Sequence, residues 1–119
     1  MRVIVAGSRS ITSKAVVMAA LQDAFLWEAI NPTCIVSGTA RGVDRLGEAI
    51  AAEHKLKVAR YPAKWNLYGS VAGHIRNGVM AANADALVAV WDGVSPGTKN
   101  MIDQARLQGL LVHVFLVKA

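Results

Sequence analysis

Cysteine is all but missing from this sequence. The one copy, Cys34, has no partner for an internal disulfide, which excludes a cross-linked secreted scaffold and suits a reducing cytoplasm. His54, His74 and His113 lie far apart along the chain, so no metal-ligand spacing appears, and neither a metal nor another cofactor is expected. No apolar run approaches the ~18 residues of a membrane span. The apolar start Val-Ile-Val-Ala is too short for a signal peptide and runs straight into Gly7. The expectation is a cytoplasmic protein with no membrane partner. Charged residues make up only 18% of the chain and apolar ones 54%, which excludes a disordered segment. Repeats, linkers and low-complexity stretches are also lacking, so residues 1–119 read as one domain, large enough for a core without staples.

Acids are the scarcer charge. Thirteen Lys and Arg against eight Asp and Glu leave a net charge of +5 and a pI near 9.8. That balance favours an anionic partner, either nucleic acid or a phosphorylated small molecule, unless the lysines form only a solvated face. The positions of the cations must decide between these.

Five short apolar runs read as strands: 2–6, 34–37, 57–61, 86–91 and 111–117. They are continuous rather than alternating, the pattern of strands buried on both faces of a parallel sheet. Helical spacing fills the gaps between them. Met18, Leu21 and Phe25 form one stripe, Val43, Leu46 and Ile50 a second, and Val71, Ile75, Val79 and Ala82 a third. A weaker fourth uses Ile102 and Ala105 and closes on Gly109 as its cap. Alternation of five strands with four helices predicts an α/β fold, a doubly wound Rossmann-like domain with a five-stranded parallel sheet in the order 3-2-1-4-5. Residues 61–69, YPAKWNLYG, are the longest irregular stretch.

In such a sheet ligands bind beyond the carboxyl ends of the strands, where the strand order reverses. The loops at that edge are GSRS (7–10), SGTARGVD (37–44), YPAKW (61–65) and WDGVSPGT (91–98). They hold five of the ten glycines together with Arg9, Arg41 and Lys64, and Lys99 follows at once. Gly38 and Gly42 let the backbone come close to a ligand, and the helix that follows offers unpaired N–H groups and its positive dipole end. This is the chemistry of a phosphate site, although one Gly-rich turn by itself is equally well only a tight turn. Neither GxxxxGK[ST] nor GxGxxG after the first strand occurs, which argues against conventional NTPase and NAD sites. Arg76 sits near the start of the third long helix, about 100° round from Ile75. The dipole does not favour a cation there, whereas its guanidinium fork suits a phosphate or carboxylate. An ion pair with Asp85 or Asp92 is the other reading.

The ordered motifs GSRS, SGTARGVDRLGEAIA, PAKWNLYGSVAGHIRNGVM and SPGTKNMIDQA resemble the YspA-like group of the SLOG superfamily over nearly the whole chain. The wider superfamily includes the Lonely Guy phosphoribohydrolases and the Rossmann-like part of DNA-processing protein A. Membership implies binding or processing of nucleotides and nucleotide-derived signals. Arg76, Asn77 and Met80 stand in the pattern Arg-Lys-x-x-Met of the Lonely Guy enzymes, whose arginine belongs to the active site. Gly97 and Thr98 match the Gly-Thr pair of their phosphate-cradling Pro-Gly-Gly-x-Gly-Thr-x-x-Glu. The glutamate of that motif is Met101 here, and a thioether cannot stabilise a sugar cation or activate water. Asp103 is about 200° round the helix from that position and points elsewhere. Asp44 and Asp92 are the candidate catalytic substitutes, unless the first only complements its helix dipole and the second only shapes a turn.

Three readings follow. In the first, the domain binds a nucleotide or nucleotide-derived ligand through Gly7, Ser8, Arg9, Ser37, Gly38, Thr39, Arg41, Gly42, Arg76, Asn77, Gly97 and Thr98. Trp65 covers the base, unless it packs down on the third helix instead. In the second, it hydrolyses the N-glycosidic bond of a nucleoside 5′-monophosphate. The third follows from the likeness of SGTARGVD to the SGxAxGID motif of DNA-processing protein A, and makes it a single-stranded nucleic-acid-binding accessory domain. Trp65, Tyr68 and Trp91 would then be the stacking platforms, with Trp27 in the core. The resemblance also implies a homodimer or higher homo-oligomer, with Met80, Met101 and Ile102 as shared apolar surface.

Overall fold

A computed structural model of the chain describes residues 1–118. Five strands, β1 (Arg2–Gly7), β2 (Cys34–Ser37), β3 (Lys57–Arg60), β4 (Ala86–Trp91) and β5 (Leu111–Leu116), pair in the order β3-β2-β1-β4-β5. Every pairing is parallel. The helices are α1 (Lys14–Glu28), α2 (Val43–Glu53), α3 (Trp65–Tyr68), α4 (Ala72–Ala82) and α5 (Pro96–Leu107). The fold class and strand order are those expected. The stretch 61–69 is less irregular than expected: it contains the single turn α3, and a 3-10 turn over Gly69–Val71 leads on into α4.

The continuous apolar runs are explained by two cores, one on each face of the sheet. Val3, Val5, Ile35, Val88 and Val90 pack against α1 and α2, while Ile4, Val36, Leu87 and Ala89 pack against α4 and α5. Full burial on both faces holds for β1, β2 and β4. The edge strands β3 and β5 are only half covered, and each ends in an exposed residue, Arg60 and Leu116.

Helix faces differ from the apolar stripes on two helices. The inward face of α1 is Val17, Ala20 and Ala24, small residues that let the helix lie close to the sheet. Phe25 and Trp27 therefore point outward, and Trp27 is 76% exposed rather than part of the core. On α4 the buried residues are Ala72, Asn77, Met80 and Ala81, whereas Val71, Ile75, Val79 and Ala82 are exposed. The helix is turned by roughly one residue, about 100°, from the orientation its apolar stripe suggests. That rotation carries Arg76 inward with Met80. Met80, Met101 and Ile102 are consequently core residues of the second cluster, at most 3% exposed, and offer no surface for a subunit contact.

Candidate functional site

Strand order reverses between β1 and β4, and the chain leaves these neighbours in different directions. A cleft of about 750 Å³ opens there, beyond the carboxyl ends of the strands. Gly7 at the end of β1 and Ser8 and Arg9 from the loop after it line the cleft, as do Arg41 and Asp44 from the loop after β2 and the start of α2. Trp65 comes from α3, Arg76 and Asn77 from α4, and Gly97 and Thr98 from the first turn of α5. Arg9 and Arg41 are exposed and Arg76 is half-buried, so three guanidinium groups from three elements share one volume. The start of α5 is shaped for this position. Pro96 occupies its first turn, where a missing N–H loses nothing, and the helix start that lines the cleft has no side-chain cap.

The loops are locked to one another by small residues and by the ends of polar side chains. Ser8, fully buried, accepts a hydrogen bond from the Asp92 N–H at 3.2 Å and so ties the loops after β1 and β4 together. A Cβ on Gly42 would lie 2.7 Å from the carbonyl oxygens of both Ser8 and Arg9, so only glycine fits under that loop. Its φ of 81° is also one that side chains rarely adopt. Thr39 takes a φ of 66°, a strained conformation for a β-branched residue. Its N–H donates to Ser37 Oγ at 3.0 Å, and Ser37 in turn donates to Glu48 at 2.7 Å.

Arg76 is the junction of the site. Its Nη1 donates to the Gly38 carbonyl and its Nε to Asn77 Oδ1 at 3.0 Å. Asn77 passes the connection on to the Gly97 carbonyl at 3.3 Å and to Asn100 at 3.0 Å. Buried polar Asn77 thereby joins α4 to the first turns of α5. The ion pair of Arg76 with Asp85 or Asp92 is not formed. A Cβ on Gly38 would sit 2.4 Å from Arg76 Nη1 and 2.8 Å from Asp44 Oδ2, so these two groups face each other across a spot that only glycine leaves free. Ser37, Gly38, Thr39 and Gly42 thus lie beneath the cleft wall and support it, rather than lining it.

Asp44 is 5% exposed and lines the cleft. Burial raises its carboxyl from 3.8 to about 6, against the opposing pull of the Ala40 N–H at 3.2 Å and of Arg76 and Arg9. Glu48, one turn along α2, pushes in the same direction as burial. Burial also lowers the pKa of Arg76, and Asp44 counters that shift. Asp92 is different. Its oxygens accept from the Ser95 hydroxyl at 2.7 Å and from the N–H groups of Ser95 and Val94 at 2.7 and 2.9 Å. These bonds hold its carboxyl down at about 2 and fix the turn into α5, and the residue does not line the cleft.

Of the aromatics, Trp65 alone lines the cleft. It is half exposed, and its indole edge approaches α4 at Gly73, where an added Cβ would lie 3.4 Å from the ring. Trp91 is turned to the second core and donates its indole N–H to the Ser95 carbonyl at 3.1 Å. Tyr68 and Lys64 line a neighbouring groove of about 300 Å³, and Lys99 is paired with Asp103. Sequence reasoning passed over Ser70, Gly73 and Ser95, which also line the cleft. The Ser-rich, Gly-rich turns around α3 and before α5 were the available signal.

A family model described as YspA, cpYpsA-related SLOG family matches residues 1–68, from β1 through α3. No curated protein matches the chain. The match covers more than half of the sequence, and the chain belongs to this SLOG family. Arg76, Asn77, Gly97 and Thr98 complete the cleft from outside the matched residues.

Proposed function

We propose that this SLOG domain binds a nucleotide or nucleotide-derived molecule in the cleft at the strand-order reversal. Phosphate sits among Arg9, Arg41, Arg76 and the open first turn of α5, and the base lies against Trp65. The observation that carries this reading is that guanidinium groups from three separate elements line one open volume together with a helix N-terminus. Aromatic, cationic and backbone-donor groups are then spread across a cleft large enough for a mononucleotide. Titration calorimetry with the four nucleoside 5′-monophosphates tests it. Saturable binding that Arg76→Ala abolishes, with the domain still folded, is the expected result. No binding by any of them sinks the reading.

A second reading, hydrolysis of the N-glycosidic bond of a bound nucleoside monophosphate, is supported by Asp44. A buried carboxyl raised to about 6, beside the guanidinium expected to anchor phosphate, is suited to general acid–base work near neutral pH. Met101 lines the same cleft and cannot supply that chemistry, while Asp103 is exposed and held by Lys99. Release of free base on incubation with the monophosphates, lost in Asp44→Asn, is the outcome this reading requires. Binding of single-stranded nucleic acid is less well supported, because Trp65, Tyr68 and Trp91 do not form one stacking row. That mode calls for binding that falls steeply with salt, whereas the mononucleotide reading calls for saturable binding largely insensitive to it.

A further inference from the structure

We infer that Asp44 reads a sugar hydroxyl: one of its carboxylate oxygens accepts a hydrogen bond from the ribose of a phosphorylated ligand, so the cleft takes ribose phosphates in preference to their deoxy counterparts. The inference rests on the phosphate-binding reading above and specifies the ligand class of that same site.

The two oxygens of Asp44 are not equivalent. Oδ2 accepts from the Ala40 N–H at 3.2 Å, whereas Oδ1 receives no hydrogen bond among the described residues. Among the described residues no side-chain oxygen that lacks a partner is shut off from solvent, so Oδ1 keeps solvent access on a residue that lines the cleft. Its charged neighbours are accounted for. Arg76 faces it from α4 across Gly38, Arg9 approaches from the loop after β1, and Glu48 follows one turn along α2. None of the arginines forms an ion pair with it: Arg76 gives two of its five N–H donors to Gly38 and Asn77 and keeps the others for a ligand, and Glu48 is itself held by Arg60 and Ser37.

An ionised carboxylate accepts hydrogen bonds and cannot donate them. A phosphate oxygen placed beside it would be repelled, but a neutral hydroxyl meets it as a donor. A ribose phosphate carries both kinds of group on one small ring. With its phosphate at the Arg76 guanidinium, its hydroxyls reach the carboxylate on the other side of Gly38. A ligand without the hydroxyl would cover Oδ1 and leave it unpaired in a desolvated place. Sites built to bond a hydroxyl reject the analogue lacking it for this reason. A nucleotide and a free sugar phosphate offer the same chemistry here.

The test compares affinities at about pH 8, where Asp44 is ionised. The probes are the four nucleoside 5′-monophosphates with their 2′-deoxy and 3′-deoxy forms, then ribose 5-phosphate and 2-deoxyribose 5-phosphate. The expected result is that at least one deoxy form binds about tenfold more weakly than its parent, and that the gap shrinks to within about threefold in Asp44→Asn. Tighter binding of the nucleotides than of ribose 5-phosphate assigns the hydroxyl to a nucleotide, and equal binding assigns it to a sugar phosphate. Equal affinity for ribo and deoxy forms, or a preference that survives in Asp44→Asn, overturns the inference while nucleotide binding stands. Binding of none of these probes removes the nucleotide reading and this inference together.

Discussion

Replacing Asp44 by Asn should stabilise the domain, and by an amount that depends on pH. The wild-type carboxyl titrates at about 6 in the folded chain against 3.8 in its ordinary setting, because burial disfavours the charged form. The folded state therefore holds the proton more tightly than the unfolded one. Stability from this group is fully present below the unfolded value and is lost as pH rises through about 6. A gap of about two pH units corresponds to roughly 3 kcal/mol lost at pH 8, at about 1.4 kcal/mol per unit. Asn has no charge to lose and can still accept from the Ala40 N–H. Urea unfolding of both proteins across a pH series reads the difference from the midpoints. The variant should gain on the wild type from about pH 4 upward and level off above about pH 7, by roughly 3 kcal/mol. Two stability curves that run parallel across this range would refute the argument, since Asp44 would then titrate alike in both states.

Three further substitutions probe the loops. Gly38→Ala places a methyl 2.4 Å from Arg76 Nη1, so the guanidinium must leave its bond to residue 38. Because the clashing group ends a flexible side chain, denaturation should show a loss of only about 1 kcal/mol, while calorimetry should show nucleotide affinity falling at least about tenfold. Asp92→Ala removes the acceptor that fixes the turn into α5. Its carboxyl is depressed to about 2, so its stabilising effect is present above 3.8 and fades as pH falls through about 2. The thermal midpoint should drop at neutral pH and match wild type at the acid end. Thr39→Gly relieves a φ of 66°, and despite the looser unfolded chain it should raise stability by about 0.5–1 kcal/mol in the same urea assay.

The architecture was legible because continuous β-branched runs separated by helical spacing leave little choice but a buried parallel sheet. The site edge followed from that topology, and Arg9, Arg41, Arg76 and the Gly97–Thr98 turn do share one cleft. Helix orientation was not legible at α4. Its apolar stripe of Val71, Ile75 and Val79 faces out, since Arg76 and Asn77 are held inward by backbone carbonyls 38 and 97, partners far away in sequence. Periodicity registers apolar burial and cannot register polar side chains satisfied by distant carbonyls. The same blindness hid the difference between the two candidate acids. Asp44 and Asp92 each follow a strand and precede or open a helix, yet one is buried with a free oxygen and the other is consumed by its own turn. On α1, Trp27 points outward because Val17, Ala20 and Ala24 make the closer contact with the sheet.

Amide shift mapping with a nucleoside monophosphate addresses the central claim most directly. Binding in the cleft predicts saturable changes at residues 7–10, at Ala40 and Arg41, at the Trp65 indole, and at Gly73, Gly97 and Thr98. Changes confined to the outer groove at Tyr68, Ile75 and Val79, or to the exposed end of α1, would contradict it.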